Sequence, residues 1–403
     1  MKVAVVGVGQ CGCRIADKFY ILNEHSGSIF GRRIEFITDG FAINTDSADL
    51  SGLLHIPKDQ AHRIILNETG GHGVGGVNQV SFEVIKKYAS SIVTTILDSL
   101  KFHEADAVLF IASGGGGTGS GAVATLIDTM KKRLQDPRPL YALIVLPFAK
   151  EEIGEGSFAV INTATCLAAV NKVADAVMLV ENERFTRQGK DLIDTIDITN
   201  TRIVENFIDL FCAGEEKNPN RVGAKTIDAG DIIASLNGLT AIGVGEMPLS
   251  VWKTFPKVFN KRGDFQDGLK DDTTVTSALK KAINRLSVDC ELSDATKICY
   301  AICAPKDMVT PGVDTEIRRQ LANWAPKAEV RGGDYPAQGR NRTSTVTLII
   351  SGLIKVKRVE KIYERAHELY KIQKDIIEER KRAAQKLDEL AKGLPSLLET
   401  EED

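Results

Sequence analysis

Phe110–Met130 reads FIASGGGGTGSGAVATLIDTM, with four consecutive glycines, a threonine and two more glycines set between two apolar runs. Glycine loses more backbone freedom on folding than any other residue, and Gly114 to Gly117 bring no side chain to a core that could offset it. One use of such a loop stands out. Without Cβ atoms its N–H groups can approach an anion closely, and the positive end of a following helix adds to the attraction. ADAVLFIAS (105–113) reads as a buried strand entering the cluster, and 121–134 as the helix leaving it. The stretch reads as a phosphate cradle in which N–H groups and the Thr118 and Ser120 hydroxyls carry the anion. No lysine follows Gly121, so the pattern G-x-x-x-x-G-K-[ST] is not met.

Upstream, Val3 to Val8 is a continuous apolar run that predicts a buried strand, and Ile15, Ala16, Phe19 and Leu22 place a helix over 13–22. Between them VGVGQCG sets Gly7, Gly9 and Gly12 at the spacing of the dinucleotide fingerprint. Taken alone, this motif also fits an NAD-linked oxidoreductase, with Asp39 or Asp46 as the acid on the ribose. Asp39 lies 27 residues past Gly12, beyond the usual distance of about 20. Strands are expected at 34–38 and 41–44, helices at 60–67 and 79–98, a strand at 140–148, a helix at 157–173 and a strand at 174–182. This alternation predicts a Rossmann-like, doubly wound, mainly parallel α/β sheet with ligands beyond the carboxyl ends of its strands. A third glycine loop, TGGHGVGGVN (69–78), falls in the same half. A dinucleotide domain needs only the first loop, whereas a nucleotide whose phosphates are wrapped by several loops uses all three.

Further on, 199–213 (TNTRIVENFIDLFCA) predicts an amphipathic helix, and GEEKNPNRVGAK after it marks a domain boundary. Helices at 273–286 and 313–325 with strands at 297–304 and 343–351 make a smaller α+β domain. From Lys355 to Asp403 there are 12 basic and 12 acidic residues, with Ile362, Ala366, Leu369, Ile376, Ala383, Leu387 and Leu390 as a narrow apolar seam. That is the pattern of a long charged helix, able to dock on its own body or on a partner helix, with an acidic tip, ETEED. The expected division is 1–198 for the nucleotide-binding domain, 199–216 for a central linking helix, 217–354 for the α+β domain and 355–403 for the charged extension.

A net charge of -3 gives no overall drive toward nucleic acid or an anionic membrane. No run approaches the roughly 20 apolar residues of a bilayer span, and MKVAVVGVG is not a signal peptide, so a cytoplasmic location is expected. Seven cysteines, with Cys11/Cys13 and Cys299/Cys303 as the only close pairs, match no zinc-site spacing and read as reduced thiols.

The order of these motifs resembles the tubulin/FtsZ superfamily of polymerising GTPases. GGGTGSG at Gly115–Gly121 is specific to that group. GQCG at Gly9–Gly12 looks like the tubulin form of the first loop, and NTD at Asn44–Asp46 like the bacterial form of the second. VRGGDYP at Val330–Pro336 and EGSFAVINTA at Glu155–Ala164 are similar to the archaeal CetZ group, which is associated with cell shape. The resemblance implies GTP or GDP with Mg2+. Gly9, Gln10, Cys11 and Gly12 would wrap the α- and β-phosphates, with Gln10 and Asp46 toward the metal and Asn44 beside them. Gly73, Gly75 and Gly76 would sense the γ-phosphate. Gly115, Gly116, Gly117, Thr118, Gly119, Ser120 and Gly121 would hold the β-phosphate, Glu155 the ribose, and Asn182 and Asn200 the guanine. Without the resemblance, Asn200 reads equally as a helix cap at the start of the central helix.

A cradle alone hydrolyses nothing, since phosphoryl transfer also needs a positioned water. TIDAGDII offers Asp228 and Asp231, which by themselves read as helix capping. In the superfamily the matching loop enters the next subunit's nucleotide pocket, which makes these two acids the expected catalysts and implies a head-to-tail homopolymer. Thr226 stands where the bacterial pattern N-x-D-x-x-D has asparagine. Lys150, Glu151 and Glu152 are expected to be ordinary surface residues. The alternative to a filament-forming GTPase is a GTP-controlled scaffold whose charged helix recruits a protein partner.

Overall fold

The computed structural model describes residues 1–29, 35–66, 70–153, 157–187, 189, 191–212, 215, 227–248, 273–304, 311–336, 343–372 and 382. The chain opens with β1 (Val3–Val8) and α1 (Gly9–Ile29), then β2 (Ile37–Asn44), α2 (Ser47–Ser51) and β3 (Arg63–Ile65). There follow α3 (Asn78–Leu97), β4 (Ala107–Ser113), α4 (Thr118–Arg133), β5 (Leu140–Leu146), α5 (Phe158–Val173), β6 (Ala176–Glu181), α6 (Asn182–Phe185) and α7 (Leu192–Cys212). The rest holds α8 (Ala229–Ser235), β7 (Gly238–Pro248), α9 (Thr273–Asn284), β8 (Lys297–Ala304), α10 (Pro311–Trp324), β9 (Glu329–Pro336), β10 (Thr343–Leu353) and a helix, α11, over 357–372.

All the strands join in one sheet, ordered β3-β2-β1-β4-β5-β6-β7-β10-β8-β9. From β3 to β6 every pairing is parallel, and all residues of β1, β2 and β5 are buried. Helices on both faces make such strands continuous apolar runs rather than alternating ones. Alternate residues feed two cores. Ala4, Val6 and Val8 pack with α3, α4 and α5, while Val3 and Val5 pack with α1 and α7. The second half continues the same sheet. β7 joins β6 in parallel over three residues, Ala176 to Met178 against Gly238 to Thr240, and β10 then runs antiparallel to both β7 and β8. The first core accordingly runs on from Ala4 through Ala278 of α9 and Ile317 of α10 to Leu369 of α11.

Several expectations are corrected. Residues 63–65 form a short edge strand in place of the helix expected over 60–67, because β-branched Ile64 and Ile65 favour extended backbone and Ala42 to Asn44 offer a free edge. The two strands expected at 34–38 and 41–44 are one, Ile37–Asn44. Helix α7 begins at Leu192, so Asn200 lies two turns inside it and caps nothing. The apolar seam of the charged extension docks on this chain's own body. Val356, Val359, Ile362 and Leu369 are all buried in the first core, with Tyr363 and Ala366 packed against it. The seam positions from Ile376 onward lie outside the described residues. Among the described residues no helix is long and apolar enough to cross a membrane.

Candidate functional site

A cavity of about 730 Å3 opens at the carboxyl ends of five strands, touching Val8 after β1's interior, Asn44 of β2, Ser113 of β4, Phe148 past β5 and Asn182 past β6. That volume suits a ligand of nucleotide size. Sheet order reverses between β1 and β4, which is where an open α/β sheet leaves a crevice for ligands.

Two helix N-termini face it. Gly9, Gln10 and Cys11 open α1, and Gly115 to Gly119 lead into α4. Both helices are long, so their free N–H groups and positive ends make this wall attractive to anions. The two loops touch backbone to backbone. Gly9 has φ +73°, and a Cβ there would stand 2.8 Å from the Gly119 amide nitrogen. Side chains fix the arrangement from behind. The Thr45 and Thr118 hydroxyls share a hydrogen bond of 2.7 Å, and Ser81 Oγ donates to the Thr118 carbonyl at 2.9 Å. Asn162 Nδ2 of α5 donates to the carbonyls of Gly76 at 2.8 Å and Gly115 at 3.1 Å, tying the 70–77 loop to the glycine cluster.

Carboxylates stand beside this cradle. Asp46 caps α2, accepting from the Ala48 amide at 2.8 Å, and its side chain also borders the cavity. Asp49 accepts from Gln10 Nε2 at 2.6 Å with one oxygen and from Asn44 Nδ2 at 2.9 Å with the other. Among the described residues no group of three or more His, Cys, Asp or Glu could hold a metal alone. The oxygens of Gln10, Asp46 and Asp49 fit a hard cation that takes its remaining ligands from phosphate and water, as Mg2+ does.

At the other end, Asn182 at the start of α6 lines the wall with Thr195, Ile196, Thr199 and Asn200, the last four on one face of α7. Asn200 is 6 % exposed, and its amide makes no hydrogen bond among the described residues. An amide buried in a cavity wall suits a ligand edge that both donates and accepts.

Of the expected binding residues, Gly9, Gln10, Cys11, Asn44, Asp46, Gly73, Gly115 to Gly119, Asn182 and Asn200 come together on this wall. Gly12, Ser120 and Gly121 do not. A Cβ on Gly12 would meet the Ile111 carbonyl oxygen at 2.0 Å and one on Gly121 the Asn78 carbonyl oxygen at 2.1 Å, so both serve close packing of helix on strand or helix. Ser120 Oγ turns back onto the Gly116 carbonyl. Gly75 and Gly76 sit with positive φ in the 70–77 loop but off the wall. Glu155 and Thr226 lie outside the described residues.

Lys150 and Glu151 border the cavity rather than plain surface, and Glu152 is paired with Arg358. Arg14 and Asp49 also went unnoticed in the sequence, although Asp49 follows Asp46 at the spacing of a helix's first turn. Asp39 is buried within β2, accepting from Ser99 Oγ and lying 3.3 Å from His62 Nε2, away from the cavity and from any ribose. No two of the seven cysteines are joined in a disulfide. Burial and the neighbouring charge of Glu151 push the Cys11 thiol up to about 12, so it stays protonated and unreactive beside the cradle.

Asp228 and Asp231 stand apart. Asp228 caps α8, accepting from the Asp231 amide at 2.8 Å, and Asp231 Oδ1 lies 3.2 Å from Arg331 Nη1 of β9. Neither acid touches the cavity of its own chain.

Residues 2–190 match the family described as Tubulin/FtsZ family, GTPase domain, and residues 189–368 match Tubulin-like CetZ, C-terminal domain. The chain is 29 % identical to tubulin-like protein CetZ3 of Haloferax volcanii over 97 % of each. Among solved structures it resembles a GDP-bound monomer of CetZ1 from the same organism, with TM-score 0.73 and 25 % identity over 91 % of this chain and 99 % of that one. It likewise resembles a GTPγS-bound protofilament of CetZ2, with TM-score 0.74 and 25 % identity over 93 % of this chain and 100 % of that one. Family and geometry together remove the dinucleotide-oxidoreductase reading: the chain belongs to the tubulin/FtsZ superfamily of GTPases, within its CetZ group.

Proposed function

We propose that this protein binds GTP with Mg2+ in the cavity, assembles head to tail, and hydrolyses GTP to GDP and phosphate where two subunits meet, in the cytoplasm and in the control of cell shape. The observation that carries the reading is a separation within one chain. A glycine-lined anion cradle is complete on one side, and two acids with no ligand to act on stand elsewhere on α8.

In this reading the N–H groups of Gly9 to Cys11 and Gly115 to Gly119 neutralise the phosphates, while Gly73 meets the γ-phosphate. Asn182 and Asn200 donate to and accept from the guanine edge. Gln10 and Asp46 hold the cation, with Asp49 fixing Gln10 and Asn44 in place; Mg2+ would shield charge on the phosphate oxygens. Asp231 of one subunit, supported by Asp228, orients a water against the γ-phosphorus held by the next and takes its proton. Such a contact joins two different surfaces and repeats, so it builds a filament. The heavily charged residues 373–403 are the part of the chain we assign to a further protein partner.

The test is phosphate release per subunit against protein concentration, run beside pelleting in GTP with Mg2+ and in GDP. A site shared between subunits gives a specific rate that climbs with concentration, and pellets in GTP alone. A specific rate that stays flat under dilution removes the shared site, and bound nucleotide without pellets favours the scaffold.

A further inference from the structure

Arg358, in the first turn of α11, reaches 206 residues back along the chain to the turn beside the cavity wall. Its Nη1 donates to Glu152 Oε2 at 3.0 Å and its Nη2 to Glu152 Oε1, while Nη2 also donates to the Pro147 carbonyl at 3.1 Å. The two side chains are only 18 % and 17 % exposed. An exposed pair would wander; a bidentate pair at this depth has one geometry, and losing either member leaves a charge poorly solvated.

What the guanidinium holds is the turn over Ala149–Glu152, whose Lys150 and Glu151 line the cavity together with Phe148 before them. Within the described residues the turn is also held by the Glu151 amide donating to the Phe148 carbonyl at 2.9 Å and by Ser157 Oγ donating to the Glu151 carbonyl at 2.6 Å. Glu151 accepts from the Phe148 amide at 2.9 Å, and Glu183 of α6 accepts from the Ala149 amide. Pro147, the second anchor of Arg358, backs the glycine cluster itself: a Cβ on Gly115 would come within 3.0 Å of the proline ring. One cation therefore ties α11 to a side wall of the cavity and to the rear of the phosphate cradle. Helix α11 is in turn clamped to the core by Val359, Ile362 and Leu369.

We infer that Arg358 is a positioning residue for nucleotide retention. Through Glu152 and Pro147 it sets the cavity wall, so the docking of the C-terminal helix and the occupancy of the cavity favour each other. The inference rests on the reading of the cavity as a guanine-nucleotide site. Coupling of this kind is reciprocal, so a filled cavity also steadies α11.

The experiment uses the full chain and follows release of a fluorescent GDP, with KM and kcat for GTP and thermal unfolding alongside. Glu152→Gln and Arg358→Ala should each speed release and raise KM by roughly 5- to 20-fold, within the ordinary range of coupling between sites, while kcat at saturating GTP stays within about twofold. The double variant should be no worse than the worse single one, since the two residues act as a unit. A merely structural pair would lower the melting temperature and leave release and KM alone, and that result overturns the inference, as would additive effects in the double variant. Should Arg358→Ala fail to fold, Glu152→Gln decides. A wild-type chain that takes up no GDP would instead strike the reading of the cavity.

Discussion

The two halves of the sheet are built for opposite duties. From β3 to β6 parallel strands all end at one edge, and the loops there are stripped of side chains so that backbone can meet a ligand. From β7 to β9 the pairing is mixed, with β10 antiparallel to β7 and β8 and β9 parallel to β8, so the strand ends are divided between the two edges, and Asp228, Asp231 and Arg331 stand away from the cavity. On the proposed reading one half is a socket and the other carries a plug. The lesson is that changes in the two halves should separate binding from turnover.

The sharpest way to break this comparison is Asp231→Ala. Removal of a general base costs about 10²- to 10⁴-fold in turnover. GTP affinity should stay as it was, because the carboxylate touches no part of its own chain's cavity. Phosphate release and nucleotide binding, measured on the same sample, check it; normal turnover would show that the acids belong to α8 capping alone.

Leu369→Ala asks whether the halves are one folding body. Leu369 is fully buried in the core that begins at Ala4, so its truncation should cost about 2–5 kcal/mol. Denaturant unfolding should keep a single transition moved to lower concentration. Two separate transitions would mean that the three-residue join between β6 and β7 does not couple the halves. By the same reasoning, cutting the chain at residue 355 should unfold the body rather than merely lose a partner.

Asn200→Ala probes the socket. Loss of one buried hydrogen-bonding amide should weaken guanine-nucleotide binding by about 1–3 kcal/mol, with little preference left for guanine over adenine. Competition between GDP and ADP measures both effects.

How much of this could be read from sequence follows from where glycine sits. Gly114 to Gly121 between a strand and a helix pattern has one sensible use, so the cradle and the sheet around it were legible. In the second half glycine serves packing and hides strands. A Cβ on Gly243 or Gly245 would strike carbonyls of α9 at 2.2 Å, and one on Gly332 would strike the Tyr300 ring at 2.3 Å. β7 and the strand inside VRGGDYP therefore carry no apolar run by which to expect them, although bare backbone there lets a helix or a ring lie flat on the sheet. The early turns of α7 were missed for another reason. Thr195, Ile196, Ile198 and Thr199 are β-branched and poor helix formers, and packing on the sheet overrides that preference. With the helix start went the face of Thr195, Ile196 and Thr199 that borders the cavity.

The gentlest test concerns Arg331. Its guanidinium stands between Glu329, at 2.8 Å, and Asp231, at 3.2 Å, and the hydrogen bonds to Glu329 and then to Asp231 hold its pKa above the ordinary arginine range. In the free chain this ion pair is open to solvent, which screens it. Arg331→Ala should therefore leave the melting temperature nearly unchanged. Within a filament contact the same residue would aim Asp231, so kcat should fall by roughly three- to fivefold while KM holds. In an Asp231→Ala background the substitution should do nothing more, because there is no carboxylate left to aim. A further drop in that background would mean that Arg331 meets the neighbouring subunit's phosphates itself, and the plug would then carry a cation as well as its acids.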